Sequence, residues 1–345
     1  MQVILLGAEY KKSEYMRRWA FTLVNSAIVL VLLVVLMGGW TRINDAGLSC
    51  PDWPGCFGQI SVPNSVEQLD SAAKLYPHII VEAHKSWLEM IHRYLAGTLS
   101  LLILALAVIA AILRNTTNYP VKLSFLLLVL VGFQAALGMW TVTLKLLPIV
   151  VTAHLFFGLL TTVLLLVLRD SIQSIDKQSR PWARENYAVL VGLILLFVQV
   201  VLGGWTSSNY AGWGCSDWLA CNPGTEVSYS FSSAFSIQLD YGYSHQGGSL
   251  ALAERGAIQI IHRIGALAVV AYFFWLYFVI AKTQVWSQQC AVLLGLTVMQ
   301  IVVGLMNIAW AIPSHLAMAH HLLAVLMLIY TTRLLSTSLT AAEDS

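Results

Sequence analysis

Charge is scarce in this sequence. Of its 345 residues only 10% are Asp, Glu, Lys or Arg, while 58% are hydrophobic; a soluble domain carries about 25% charged residues. A water-soluble globule is therefore not expected. An excess of either sign is missing too. The net charge is +2, too small to suggest a nucleic-acid partner. Cysteine is sparse, at five residues, and no histidine pair at finger spacing accompanies them, which argues against a zinc site. The start, "MQVILLGAEYKKSEYMRRWA", lacks the order of a cleavable signal. Its short apolar run precedes its charges, and no small-residue cleavage site follows.

What the chain has in quantity is long apolar runs. A membrane-crossing helix needs roughly 20 mostly apolar residues. Eight segments qualify, at about 21–40, 86–113, 123–141, 149–168, 188–205, 257–281, 288–310 and 315–335. The expected fold class is an all-α membrane protein with eight transmembrane helices. With Met1 inside, twelve of the nineteen Lys and Arg residues fall on inner segments, Lys177, Arg180 and Lys282 among them, and seven on longer outer ones. The positive-inside rule then puts both termini in the cytoplasm. The expected location is the bacterial inner (cytoplasmic) membrane, crossed many times, with the long loops 41–85 and 206–256 on the outer side. Each loop holds one cysteine pair with five residues between its members, and an oxidising outer compartment permits disulfides. Cys50–Cys56 and Cys215–Cys221 are the expected bonds, with unpaired thiols as the alternative. Cys290, in an apolar segment, reads as a packed thiol.

The loops begin alike. "GGWTRINDAGLSCPDWPGC" at 38–56 and "GGWTSSNYAGWGCSDWLAC" at 203–221 agree at eleven of nineteen positions, offset by 165. The likeness continues: "EMIHR" at 89–93 answers "QIIHR" at 259–263, Gln134 to Gly138 answers Gln300 to Gly304, and "AHLFFG" at 153–158 answers "AHHLLA" at 319–324. Segments 1–4 thus repeat as segments 5–8. Four is even, so the copies are expected to be parallel, related by an axis along the membrane normal. The expected organisation is two pseudo-symmetric four-helix bundles, residues 1–170 and 187–345, joined by a polar cytoplasmic linker at 171–186.

Histidine is placed with the repeat. His92, His154, His262 and His320 each lie within roughly two turns of an outer helix end, at ~1.5 Å rise per residue. Facing side chains in four-helix bundles commonly hold a cofactor, and imidazole is a usual ligand of haem iron. One such histidine reads equally well as a hydrogen-bonded polar residue. Four at one depth favour ligation, because ionisable groups in membrane spans are costly. Arg93 and Arg263 are placed to pair with haem propionates, and snorkelling to the interface explains them as well. His321 competes with His320, but the "AH" pair and the small residue four positions on favour His320. His315 reads as interfacial, and His78, His84 and His245 as solvated.

One position breaks the repeat. Glu89 lies three residues before His92 and so on the same helix face; its counterpart is Gln259. A buried carboxylate can move a proton or stabilise a developing cation, whereas an amide only hydrogen-bonds. The N-terminal copy therefore reads as reactive and the C-terminal copy as a cofactor site. The alternative for Glu89 is a carboxylate favoured by a helix N-terminus.

Through "GGWTRINDAGLSCPDWPGC", "EMIHRYLAG", "TAHLFFG", "QIIHR" and "AHHLLA" the chain resembles the haem A synthase family over nearly its whole length. Both cysteine pairs match a cysteine-bearing branch of that family. The resemblance implies oxidation of the C8 methyl of haem O to the formyl group of haem A, for cytochrome oxidase, by two hydroxylations and loss of water. It implies haem O between His92 and His154, a haem b cofactor between His262 and His320, and Glu89 as the acid of the family's Glu-x-x-His motif. Expected partners are haem O, haem O synthase, an electron acceptor, membrane lipid and a second copy of the chain. The competing readings are a dihaem b-type electron-transfer protein, against which the shared outer depth of the four histidines argues, and a haem carrier, which has no need of Glu89.

Overall fold

The computed structural model describes residues 2–115, 118–175, 182–217, 220–224, 226–237, 239, 242–280 and 284–340. Among them there are helices and loops and no strand. Eight helices are long and apolar enough to cross a membrane: α1 (Gln2–Ile43), α3 (Ala83–Leu113), α4 (Val121–Thr143), α5 (Pro148–Gln173), α6 (Arg184–Ser208), α8 (Leu252–Ile280), α9 (Gln284–Ala309) and α10 (Ser314–Thr340). These are the eight expected segments; seven keep their bounds to within five residues, whereas α1 begins at Gln2 rather than near residue 21. Lipid offers no partner to a backbone N–H or C=O, so an apolar run of this length can only be satisfied as a helix. Leu101, Val129, Leu267 and Phe278, exposed by 66% or more, form part of the apolar outer face such a solvent requires. Of the linker expected at 171–186, residues 176–181, with Lys177 and Arg180, lie outside the described residues, as does Lys282.

Two short helices sit in the long loops, α2 (Val66–Leu75) and α7 (Phe231–Ala234). Ser65 and Gln68 form a capping box at the start of α2, each side chain meeting the other's backbone amide. This satisfies amides that the first turn leaves free.

The long helices pack as two rings. α1, α3, α4 and α5 contact one another in that cyclic order, and α6, α8, α9 and α10 do the same. The rings meet where α5 touches α6 and α10, and where α1 touches α10. Each ring has an apolar core away from the disulfide loops. Leu99, Ile103, Leu106, Leu127, Leu165 and Leu168 fill the first, and Leu193, Leu196, Val269, Phe273, Leu276 and Leu328 fill the second. Beyond the core, Asp170 of α5 joins the rings through Arg333 of α10 at 2.6 Å, and Arg169 beside it adds a second contact at 2.8 Å.

At the other end each loop forms an apolar cap. Cys50, Cys56, Phe57, Val62, Ala72 and Met90 cluster over the first ring. Ala211, Ala234, Ala257 and Ile258 cluster over the second. Both cysteine pairs are disulfides, Cys50–Cys56 with its Cα atoms 4.7 Å apart and Cys215–Cys221 with 4.3 Å. Cys290 is a buried free thiol.

The caps are tied together. Arg42 donates to the Ser207 carbonyl and stacks on the Tyr210 ring at 4.1 Å, while the Tyr210 hydroxyl donates to Asp45 at 2.6 Å. Burial is the main cause that pushes the Tyr210 phenol above its ordinary pKa, which keeps it a donor. Both hydrogen bonds join a residue to its own counterpart in the repeat, 165 positions away. His245 differs from its expectation as a solvated side chain: it is 4% exposed. Its amide donates to the Lys145 carbonyl at 3.0 Å, and Lys145 in turn donates to the Gly242 carbonyl at 2.8 Å. The second loop thus folds over the turn between α4 and α5.

Candidate functional site

The four histidines lie between core and cap. His92 is nine residues into α3 and His262 ten into α8, while His154 and His320 are each six residues into α5 and α10. The helices α3 and α8 begin earlier than expected, so His92 and His262 stand between two and three turns from the helix start. Leu99 and Val269, two turns further on, already belong to the cores.

Each pair comes from helices diagonal across a ring. Neither α3 with α5 nor α8 with α10 packs closely, so the imidazoles reach into the middle. The His92 and His154 rings face each other with centroids 6.4 Å apart and planes at 81°. That separation suits one metal ion between them, each nitrogen standing roughly 2 Å away. Among the described residues no three or more His, Cys, Asp or Glu side chains gather as a metal cage. Two facing imidazoles suit instead a metal that brings its remaining ligands in a macrocycle.

Glycines of neighbouring helices make room for the rings. A Cβ on Gly38 would stand 2.9 Å from His92 Cε1, and one on Gly203 3.3 Å from His262 Cε1. One on Gly304 would stand 3.1 Å from His320 Cε1, and one on Gly138 3.5 Å from His154 Cε1. The first is closer than atoms pack and the last is ordinary contact. On the reading that a haem sits between these imidazoles, Gly38→Ala should displace His92 and weaken its binding severalfold, while Gly138→Ala should bind normally. Optical titration of both variants with haem checks this, and equal affinities would refute it.

Side-chain amides and one carbonyl hold the rings. His92 Nδ1 lies 3.1 Å from the Val34 carbonyl. A carbonyl only accepts, so Nδ1 carries the proton and Nε2 keeps its lone pair, the state a metal ligand needs. Gln134 donates to the His154 carbonyl at 3.0 Å. Gln199 bridges the ring Nδ1 and the carbonyl of His262, at 3.1 and 2.9 Å. Gln300 Nε2 stands 3.3 Å from His320 Nε2. His154 Nδ1, His320 Nδ1 and the Oε1 atoms of all three glutamines are buried without a partner. Buried polar atoms are almost always paired, so this cluster of orphans fits a polar or metal-bearing guest.

Glu89 faces the first cap. Its side chain is buried, accepts the Cys50 amide at 2.9 Å and pairs with Arg93 at 2.5 Å. Arg93 also donates to the carbonyls of Asp52 at 2.8 Å, Pro54 at 3.1 Å and Gly55. One carboxylate and one guanidinium thereby lock the disulfide loop onto α3, one turn from His92. In the second ring Gln259 donates to the Gly212 carbonyl at 2.9 Å, and Arg263 to the Asp217 carbonyl at 2.9 Å. The arginines serve alike, each on the Asp after the first Cys of its loop, whereas only Glu89 brings a charge.

The model of the COX15-CtaA family, described as cytochrome oxidase assembly protein, matches residues 17–332. The chain belongs to this family. A Shewanella oneidensis relative named heme A synthase is 40% identical over 310 residues, covering 89% of this chain and 93% of its own. Relatives of the same name from Brucella anthropi and Caulobacter vibrioides are 26% and 25% identical, over 94% and 91% of this chain and 93% of their own. Within this COX15-CtaA chain the structure brings Glu89, His92, Arg93 and Cys50 together and sets His154 across the ring. His78, His84 and His315 are exposed. Gln199 carries a contact the sequence did not reveal, because its counterpart is Val34, whose backbone carbonyl serves His92 instead.

Proposed function

We propose that this chain oxidises the C8 methyl of haem O to the formyl group of haem A. The observation that carries the reading is the pair of diagonal histidine sites with a charged acid beside only one. On this reading haem O lies between His92 and His154, in an N-terminal unit of residues 1–170. A haem b lies between His262 and His320, in a unit of residues 187–345. The orphaned nitrogens of His154 and His320 support ligation at both. A haem in the second ring would supply one-electron redox chemistry. Methyl to formyl is an oxidation, so an electron acceptor is a required partner; haem O synthase and a second copy of the chain are further candidates.

The residues of the first ring have separable tasks. His92 and His154 orient the substrate. Glu89, which accepts the Cys50 amide and pairs with Arg93, stabilises positive charge developing at the methyl carbon and takes up the proton released there. Arg93 and Arg263 remain the nearest cations for the propionates, and both already bind their loops. The excess of Lys and Arg on alternate loops supports an inner-membrane location, with both termini cytoplasmic and the disulfide loops outside.

Extraction and mass analysis of haems from the purified protein, expressed with a haem O supply, tests this. Haem A or its alcohol intermediate is expected, and haem B alone would favour an electron carrier. His262→Ala or His320→Ala should deplete haem b, whereas His321→Ala should retain it.

A further inference from the structure

We propose that His321 is a positioning residue that couples the two histidine pairs through α1. The inference rests on the reading of those pairs as haem sites.

His92 Nδ1 meets the Val34 carbonyl at 3.1 Å, and His321 Nε2 meets the Val35 carbonyl at 3.2 Å. These are consecutive carbonyls of α1, and the imidazoles come from different rings. One turn along α1 stand Gly38 and Gly39. A Cβ on Gly38 would reach His92 at 2.9 Å, and one on Gly39 would reach His321 Cδ2 at 2.7 Å and Nε2 at 2.8 Å. Carbonyls only accept, so both imidazoles donate. α1 therefore grips, one residue apart, a ligand of the first site and the immediate chain neighbour of a ligand of the second.

The repeat supplies an internal control. The counterpart of His321 is Leu155, which follows His154. Leu155 packs on α6 where a Cβ on Gly204, the counterpart of Gly39, would stand 2.7 Å from its Cδ2. Close packing of the two rings is thus achieved at Leu155 without a polar atom. An imidazole in a membrane span is costly unless its hydrogen bond is used. At His321 that bond ties the rotation of α10, and with it His320, to the position of α1. A shift of α1 that accommodates a guest at His92 is transmitted to His320, and the coupling is reciprocal.

Optical redox titration of the full-length protein, with the second ring holding haem b, reads this directly. The midpoint is measured before and after the first ring is loaded with haem O. In the wild type the midpoint should move on loading. His321→Leu, which copies Leu155, should hold haem b with the movement lost. His321→Gln, which keeps a donor, should retain the movement. If His321→Leu loses its haem while His321→Gln keeps both haem and movement, positioning through the donor is still supported. A midpoint that moves equally in His321→Leu overturns the proposal, as does loss of the movement in both variants. A wild type that holds both haems without any movement overturns the coupling alone; one that holds haem in neither ring overturns the proposed function with it.

Discussion

Glu89→Gln should stop haem A formation while leaving the second-ring haem in place. The substitution keeps the shape of the side chain and removes its charge. The Cys50 amide, now 2.9 Å from Glu89 Oε2, would still meet an oxygen. Arg93 would keep the loop carbonyls it already binds. The second ring shows that the scaffold accepts an amide here, since Gln259 is buried at the equivalent place. Binding of haem O should therefore survive. A positioned acid or base typically contributes about 10²–10⁴-fold to rate, and haem A formation should fall by that order, with the alcohol intermediate accumulating. Chromatography of extracted haems measures both. Undiminished haem A would remove the functional meaning of the Glu89/Gln259 difference. Loss of both haems would instead assign Glu89 to holding the loop.

The spans were legible because lipid allows an apolar run of this length one backbone solution; seven keep their sequence bounds to within five residues, while α1 starts nineteen residues before its apolar run. The histidines could be singled out through the repeat, where a position is marked twice, and the structure sets His92 against His154 and His320 beside Gln300 and Gly304. The contacts that fix them were not. Gln199 hides behind Val34, since the main chain of one copy does the work of a side chain in the other. The role of Gly38 shows only once His92 is known to lie against α1. His245 is buried through a loop that crosses to the turn after α4, a long-range fold with no local signature. The Glu89–Arg93 pair sat at helical spacing in the sequence, but that both side chains turn to the disulfide loop depends on where Cys50 and Asp52 come to rest.

That lock leads to the largest expected loss of stability. Arg93→Met removes the partner of a buried carboxylate and the donor to the carbonyls of Asp52, Pro54 and Gly55. Breaking a buried pair from one side typically costs about 3–5 kcal/mol, because the remaining charge is left uncompensated. The first loop should loosen from α3, and the Cys50–Cys56 bond should become open to reductant. Arg263→Met should be milder. Its neighbour Gln259 is neutral and donates to Gly212 by itself, so no buried carboxylate is stranded beside it on α8. The double variant Glu89→Gln with Arg93→Met should recover part of the loss, since an amide is far less costly than an unpaired carboxylate in the same site. Thermal unfolding in detergent, together with the rate of thiol release under mild reductant, measures the three variants against the wild type. Equal damage from Arg93→Met and Arg263→Met, or no recovery in the double variant, would mean that the carbonyl contacts hold the loop and the Glu89 charge contributes nothing to it. Recovery of stability without recovery of haem A formation would separate the two roles of Glu89, the lock being replaceable by an amide and the chemistry not.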